Sequence, residues 1–139
     1  MFLDMDGLKN VNDTIGHAAG DGMITEAAYV MRQTFRASDL IARMGGDEFC
    51  VLFAADSEAA AAAAARRLQE AIDAANDQEG RPFELAMSTG IAMFDPEHPI
   101  TLDELIAAAD ERMYGCKREK WEKAQAKDVP AKDVPAPVV

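Results

Sequence analysis

The stretch Arg43-Met44-Gly45-Gly46-Asp47-Glu48-Phe49 lies between two short apolar runs and decides how the chain folds. Leu40-Ile41-Ala42 precedes it and Phe49-Cys50-Val51-Leu52-Phe53 completes it, and both runs have the length and bulk of buried strands. Because glycine takes the positive φ angles of a tight turn, the two adjacent glycines predict a hairpin tip. That tip would present bare backbone and then two carboxylates, which suits a metal-bound phosphate ligand. Pattern alone leaves an ordinary surface hairpin equally open.

A second acidic segment lies near the start of the chain. Phe2-Leu3 is typical of a strand end, and it is followed by Asp4-Met5-Asp6, whose two carboxylates share one face because strand side chains alternate. Gly7 and Leu8 then open a polar segment that reaches Asn12-Asp13. On spacing alone, this segment is either an acidic strand end with helix-capping residues or a cradle for metal and phosphate.

These two segments together resemble one known family. Gly45-Gly46-Asp47-Glu48-Phe49 is the signature of the GGDEF family, the diguanylate cyclase domain, letter for letter. The run from Phe2 to Asp21 resembles the same family at the expected distance, and the likeness extends over about residues 2–121. We therefore identify residues 1–123 as a GGDEF domain, and we interpret residues 124–139, rich in Pro and Ala, as a disordered tail.

The family's usual first helix, with its Asp-x-Leu-Thr-Gly-Leu-x-Asn-Arg stretch, has no counterpart before Phe2. The sequence is therefore interpreted as an N-terminally truncated member of the family. The missing helix would leave apolar surface exposed on one face of the sheet. An upstream sensory domain is also expected, because family members usually carry one.

The resemblance implies an α/β (α+β) fold, with a central mixed, largely antiparallel sheet flanked by helices, like the palm of nucleotidyl cyclases and polymerases. Apolar spacing predicts a helix that ends near Phe35, and the alanine run 59–65 predicts another. A capping box at Thr101-Leu102-Asp103-Glu104 predicts a last helix that buries Leu102. The apolar run 83–94 predicts two strand segments broken at Ser88-Thr89-Gly90.

Composition excludes several classes of protein. The net charge of −11 across 139 residues argues against a nucleic-acid partner but not against a nucleotide, whose charge metal ions can balance. No apolar run approaches the roughly 20 residues of a membrane span, and no signal peptide is present. Cys50 and Cys116 lack zinc or redox spacing, and Cys50 fits a core strand. These features predict a cytoplasmic bacterial protein with free thiols.

The resemblance implies an activity, the condensation of two GTP into cyclic di-GMP with release of two pyrophosphates. It further implies a homodimer, since each domain holds one GTP, and Mg²⁺ or Mn²⁺ as cofactor. The implied catalytic residues are Asp47 and Glu48. The implied metal ligands are Asp4, the Met5 carbonyl, Asp47 and Glu48. The implied substrate contacts are Asn12 and Asp21 with guanine, and Gly7, Leu8, Gly45, Gly46 and Lys117.

Arg36-Ala37-Ser38-Asp39 resembles the family's Arg-x-x-Asp site for product inhibition, so Arg36 and Asp39 are implied to bind cyclic di-GMP. Without the family, the pair would be a surface ion pair of little energetic value. The chain departs from the family at Trp121, which occupies the position of a phosphate-binding Arg four residues after Lys117. Lys120 and Arg118 are the candidates to replace that Arg.

Three alternatives remain, and the truncated start and Trp121 favour the first of them, whereas the intact signature argues against it. The first is a catalytically inactive GGDEF domain that serves as a cyclic di-GMP receptor. The second is a GTP-binding regulatory module for a phosphodiesterase partner. The third is a structural interaction domain that binds no nucleotide. Formation of product separates the cyclase from all three.

Overall fold

A four-stranded sheet forms the centre of the computed structural model, which describes residues 1–128. The elements, in chain order, are β1 (Phe2–Met5), α1 (Leu8–Thr14), α2 (His17–Thr34), β2 (Leu40–Arg43), β3 (Glu48–Leu52), α3 (Glu58–Asn76), β4 (Met87–Gly90) and α4 (Leu102–Asp128). Within the described residues, none of these helices is both long and apolar enough to cross a bilayer.

The strands lie in the order β2-β3-β1-β4, and each neighbouring pair is antiparallel. This confirms the predicted α/β (α+β) class and its largely antiparallel sheet, and no parallel pairing occurs in the part of the chain that is described. The register places Asp4 of β1 opposite Glu48 of β3 on one side and opposite Ser88 of β4 on the other. The two acidic segments of the sequence therefore meet at one end of the sheet.

The sheet has a core on each face. Alternate residues such as Leu3 and Val51 point to the main core, where they pack with residues of α2 and α3 such as Met23 and Leu68. Phe2 points the other way, into a smaller core under α4. That smaller core contains Phe2, Ala109 and Met113, with Cys50 partly buried against it. Because Asp4 alternates with Leu3, its carboxylate lies on the α4 face.

The strand prediction for residues 83–94 was wrong in its bounds. The strand is Met87–Gly90, so the predicted break is itself most of the strand. The segment before it has a different hydrogen-bond partner: the Asn76 side chain donates to the Leu85 carbonyl at 2.7 Å and accepts from the Leu85 amide at 2.8 Å. The Asn76 side chain thus pairs both backbone groups of Leu85, which therefore need no partner strand.

The hairpin tip also differs from its prediction. The described glycines with positive φ are Gly7, Gly16 and Gly80, so neither Gly45 nor Gly46 adopts the predicted conformation. The connection between β2 and β3 spans residues 44–47, longer than the two-residue turns that require positive φ.

At the last helix, the capping box is confirmed, because Thr101 and Glu104 exchange backbone-to-side-chain hydrogen bonds at 2.8 and 3.2 Å. Leu102 was wrongly predicted to be buried, since it is 57% exposed in the first turn, outside the sheet contact. Residues 124–128 of the predicted tail are instead helical, because α4 continues to Asp128 through good helix formers such as Ala124. The rest of that predicted tail, residues 129–139, lies outside the described residues.

One part of the α4 face of the sheet is open. An apolar groove with a volume of about 980 Å³ runs along β2 and β3, lined by residues that include Leu40, Leu52 and Phe94. Leu40 is 63% exposed and Leu52 is 49% exposed. The sequence predicted exposed apolar surface on one face of the sheet, and this groove is such a surface.

Candidate active site

Three carboxylates meet at the end of β1 and β3. One oxygen from each of Asp4, Asp47 and Glu48 lies within 4.8 Å of the others. The antiparallel register accounts for this, because Asp4 and Glu48 are directly opposite each other and Asp47 immediately precedes β3. Such a group of oxygen ligands suits a hard divalent cation.

Backbone hydrogen bonds fix the hairpin tip beside this cluster. The Met5 amide donates to the Asp47 carbonyl at 2.8 Å, which ties β1 to the tip. The Arg43 guanidinium donates to the Gly45 carbonyl at 3.0 Å and to the Gly46 carbonyl at 2.9 Å. Arg43 therefore holds the turn by a fork of donors rather than through glycine φ angles.

Two lysines of α4 reach the acidic end of the sheet. Lys117 Nζ lies 2.9 Å from Asp4 Oδ1, as the family resemblance led us to expect of a lysine near the site. Lys120 Nζ lies 3.0 Å from Asp6 Oδ2 and donates to the Met87 carbonyl at 2.6 Å. Ser88 Oγ in turn donates to Asp6 at 2.9 Å.

Burial and like charges act together on the carboxylates. Burial raises the pKa of Asp4, the neighbouring Asp47 and Asp6 raise it further, and the hydrogen bond from Lys117 partly offsets them. Burial also raises the pKa of Glu48, with Asp47 and Asp4 adding to the shift. Burial is the largest influence on Lys117 and lowers its pKa, but the hydrogen bond to Asp4 and the charges of Asp4, Asp6 and Asp47 together outweigh it. The pKa of Lys117 is therefore raised, and this lysine is cationic at neutral pH. The cluster carries an excess of negative charge, which favours the binding of a cation.

A small cavity adjoins the lysines. It has a volume of about 270 Å³ and is lined by Asp6, Gly7, Lys117, Lys120, Trp121 and Ala124. Gly7 has φ of 78° and is exposed, whereas the Leu8 side chain is buried in the main core. Gly7 therefore presents backbone at the cavity, and Leu8 offers only its main chain.

The two residues implied in guanine binding lie on the pair of helices after β1. Asn12 is half-buried on α1, and Asp21 is exposed on α2. Asn12 packs against Gly20, where an added Cβ would lie 1.8 Å from Asn12 Oδ1. Gly20 thus leaves the space that the Asn12 amide occupies.

On the family's implied assignment of Asn12 to guanine, we expect Gly20→Ala to displace the Asn12 amide and to weaken GTP binding about tenfold or more, the loss of one hydrogen bond to the base. Titration with a fluorescent GTP analogue measures this. The matched control is Gly22→Ala on the same helix, where the nearest atom to an added Cβ lies at 3.7 Å. Equal affinity of the two variants would show that Asn12 does not bind the nucleotide.

Arg36 and Asp39 lie together in the turn before β2, away from the carboxylate cluster in sequence. Asp39 Oδ2 accepts from the Arg36 backbone amide at 2.8 Å, and the Asp39 amide donates back to the Arg36 carbonyl at 3.0 Å. The two side chains form none of the ion pairs found in residues 1–128. Asp39 therefore shapes the turn, and the exposed Arg36 guanidinium is available to a ligand.

Sequence reasoning missed several residues of this region as site residues, namely Asp6, Gly20, Arg43, Ser88 and Lys120. Asp6 had a signal, because its alternation with Asp4 placed both carboxylates on one face. Lys120 was named only as a substitute for an absent Arg. Ser88 and Gly20 had no signal, because their roles depend on which element packs beside them.

Comparisons with known proteins identify the family of the chain. The sequence model of the family described as "Diguanylate cyclase, GGDEF domain" matches residues 1–123. Diguanylate cyclase TpbB of Pseudomonas aeruginosa is 40% identical over 124 residues, which cover 86% of this chain and 28% of that protein. The chain thus spans less than a third of the length of this relative.

Solved GGDEF domains share the fold. The structure of TpbB from P. aeruginosa comprising only the GGDEF domain has a TM-score of 0.76 and 40% identity, with 85% of this chain and 69% of that chain covered. The GGDEF domain of DgcB from Caulobacter crescentus, solved in complex with c-di-GMP, has a TM-score of 0.74 and 25% identity, with 85% and 70% covered.

Proposed function

The chain belongs to the GGDEF family of diguanylate cyclase domains, and from this we propose that it condenses two GTP into cyclic di-GMP and releases two pyrophosphates. The observation that carries the proposal is the cluster of Asp4, Asp47 and Glu48, whose oxygens lie within 4.8 Å of one another beside a cationic lysine. A hairpin with only a structural role would not need two carboxylates at its tip that meet a third, Asp4, from the neighbouring strand. We place the reaction in the bacterial cytoplasm, where GTP is available.

The same residues would hold the cofactor, Mg²⁺ or Mn²⁺. Asp4, Asp47 and Glu48 supply carboxylate oxygens, and Met5 supplies its carbonyl, a ligand set typical of hard cations. Bound there, the cations would lower the pKa of a ribose 3′-hydroxyl and neutralise charge on the triphosphate. Asp47 and Glu48 are the proposed catalytic residues, since they sit where the hairpin tip meets β1.

Lys117, Gly7 and Leu8 are the proposed contacts of the triphosphate, together with the hairpin glycines Gly45 and Gly46. Lys117 is part-buried and positively charged, and its ammonium group donates to Asp4. It can donate to a phosphate oxygen instead, because phosphate oxygens are negatively charged like the carboxylate. The exposed backbone of Gly7 has no side chain to obstruct a phosphate, and the space around its Cβ position is empty to 4 Å.

Asn12 and Asp21 are the proposed guanine contacts. A carboxylate at Asp21 would accept from N1–H and the exocyclic amine of guanine, which adenine cannot donate. We expect Asp21→Ala to reduce the preference for GTP over ATP by about a hundredfold, because the selectivity lies in those two hydrogen bonds. Competition of GTP and ATP for the protein measures this, and an unchanged preference would refute the guanine assignment.

The reaction joins two nucleotides, and each domain is proposed to hold one. Two domains must therefore face each other as a homodimer for catalysis. Release of pyrophosphate should then rise as the square of protein concentration while the dimer is scarce. One pyrophosphate should appear for each GTP consumed, and one cyclic di-GMP for each pair. Release of inorganic phosphate in place of pyrophosphate would identify a GTPase and contradict the proposal.

A second candidate function is favoured by Trp121, which is 69% exposed at the position of the family's phosphate-binding Arg. In that case the domain is a catalytically inactive receptor, with cyclic di-GMP bound at Arg36 and Asp39, or a GTP-binding regulatory module. The active enzyme would use the same two residues for product inhibition. Calorimetry with cyclic di-GMP on the wild type and Arg36→Ala tests the site, and formation of product decides between enzyme and receptor.

The raised pKa values of Asp4 and Glu48 give the proposed metal site a pH dependence. A bound cation requires both carboxylates to be ionised, so affinity for Mg²⁺ should fall on acidification at a higher pH than the usual carboxylate range near about 4. Without a bound cation, acidification has the opposite effect and stabilises the fold. The pKa of each carboxylate is higher in the folded than in the unfolded chain. Its contribution to stability is therefore present at low pH and is lost as the pH rises through the folded pKa.

Thermal unfolding with and without Mg²⁺, across a pH series, measures both effects. We expect stabilisation by Mg²⁺ to grow with pH through that window and then to level off. Stabilisation that is constant with pH would mean that these carboxylates do not bind the cation.

A further inference from the structure

Lys120 is oriented into the small cavity beside the carboxylate cluster. Its Nζ lies 3.0 Å from Asp6 Oδ2 and 2.6 Å from the Met87 carbonyl, so two acceptors fix the position of the charge, and one of them, Asp6, also lines the cavity. Ser88 Oγ donates to both oxygens of Asp6, at 2.9 and 3.0 Å, and so fixes Asp6 in turn. The contacts from Ser88 to Asp6 and from Asp6 to Lys120 thus hold the Lys120 ammonium group in one position.

Lys117 and Lys120 form one pair of charges. They are three residues apart on α4, which puts both on one face of the helix. Both line the cavity that Gly7 also lines, and both contact carboxylates at the end of β1. Two positively charged side chains therefore line the same cavity as the exposed backbone of Gly7.

Two neighbouring residues of α4, Arg118 and Trp121, do not supply a second cation at this cavity. Trp121 carries no charge, although its ring lines the cavity. Arg118 is exposed and takes part in none of the ion pairs in the described part of the chain, nor does it line the cavity. Among the described residues 118–121, Lys120 is the positively charged residue that lines the cavity.

We propose that Lys120 is a substrate-binding residue that forms a two-lysine clamp with Lys117 on the triphosphate of GTP, in place of the arginine that the family carries at position 121. The proposal rests on the proposed function and extends it to a residue outside the family's motif. An ammonium bound to a carboxylate and a carbonyl can turn toward a phosphate with a small rotation of its flexible stem. Asp6 is then the positioning residue that keeps Lys120 at the cavity.

Binding of two ligands to the full chain, with Mg²⁺ in excess, tests this: GTP, which carries the phosphates, and guanosine, which lacks them. Lys120→Met removes the charge and keeps the stem length. We expect it to weaken GTP binding about tenfold, the loss of one charge-assisted contact, and to leave guanosine binding within about twofold of the wild type. The deficit should shrink at high salt, because the contact is electrostatic. Lys120→Arg, which keeps the charge, should bind GTP within about threefold of the wild type.

The matched control is Lys123→Met, which removes the same charge from an exposed position one turn further along α4. It should bind both ligands as the wild type does. Equal GTP affinity for Lys120→Met and the wild type would refute the clamp alone. Equal losses for GTP and guanosine would also refute it and would identify Lys120 as a brace of β4. A wild type that binds no GTP would refute the proposed function together with the clamp.

Discussion

Replacing Asp47 with Asn is expected to lower cyclic di-GMP formation by about a thousandfold or more. The Asp47 carboxylate lies within 4.8 Å of those of Asp4 and Glu48, and the three are the proposed cation ligands. Loss of one ligand would remove several kcal/mol of transition-state stabilisation, which corresponds to a rate change of that size. Chromatography of the nucleotides after incubation with GTP and Mg²⁺ measures it.

The same variant should fold at least as well as the wild type in the absence of cations. The charge of Asp47 raises the pKa of both Asp4 and Glu48, so its removal relieves repulsion. Thermal unfolding should therefore show a stable protein that Mg²⁺ no longer stabilises. Asp77→Asn, an exposed carboxylate at the end of α3, is the control and should keep both activity and the response to Mg²⁺. Full activity of Asp47→Asn would refute the metal site.

Replacing Gly90 with Ala is expected to destabilise the fold by about 3 kcal/mol or more, at the upper end of overpacking costs. A Cβ on Gly90 would lie 2.1 Å from the Ala109 carbonyl oxygen and 2.2 Å from the Met113 amide nitrogen, both of them backbone atoms of α4. The helix would have to move away from β4 and would carry Lys117 with it. Urea denaturation measures the loss, and cation-dependent stabilisation should weaken in parallel.

Gly115→Ala supplies the matched control on α4 itself. An added Cβ at Gly115 meets nothing within 4 Å, and the substitution removes a flexible residue from a helix interior. We expect it to stabilise the protein by about 0.5–1 kcal/mol. If Gly90→Ala were as stable as Gly115→Ala, the close packing of β4 against α4 would be contradicted.

Local patterns in the sequence predicted most of the fold. Met23 and Ala27 at helical spacing identified the buried face of α2, and the pair Thr101 and Glu104 identified the start of α4. The errors arose where a distant partner decides the outcome. Leu85 lies outside β4 because the Asn76 amide binds its backbone, and no local pattern around residue 85 indicates that.

The candidate site shows the same division. The register of β1 against β3 brings Asp4 and Glu48 together, a grouping that the family resemblance implied and that no local pattern specified. Lys117 and Lys120 lie more than a hundred positions away along the chain, and only the packing of α4 on β4 brings them to Asp4 and Asp6. The family resemblance supplied Lys117. The sequence named Lys120 and Arg118 as candidates for a further cation, and the contact with Asp6 and the place in the cavity lining distinguish Lys120 from Arg118.

The most direct test of the central claim is chromatography, with mass identification, of the nucleotides formed when the chain is incubated at high concentration with GTP and Mg²⁺. We expect the wild type to form cyclic di-GMP and the Asp47→Asn variant to leave GTP intact. Intact GTP with the wild type would contradict the proposed cyclase activity, and equal product from both proteins would contradict the carboxylate cluster as its metal site.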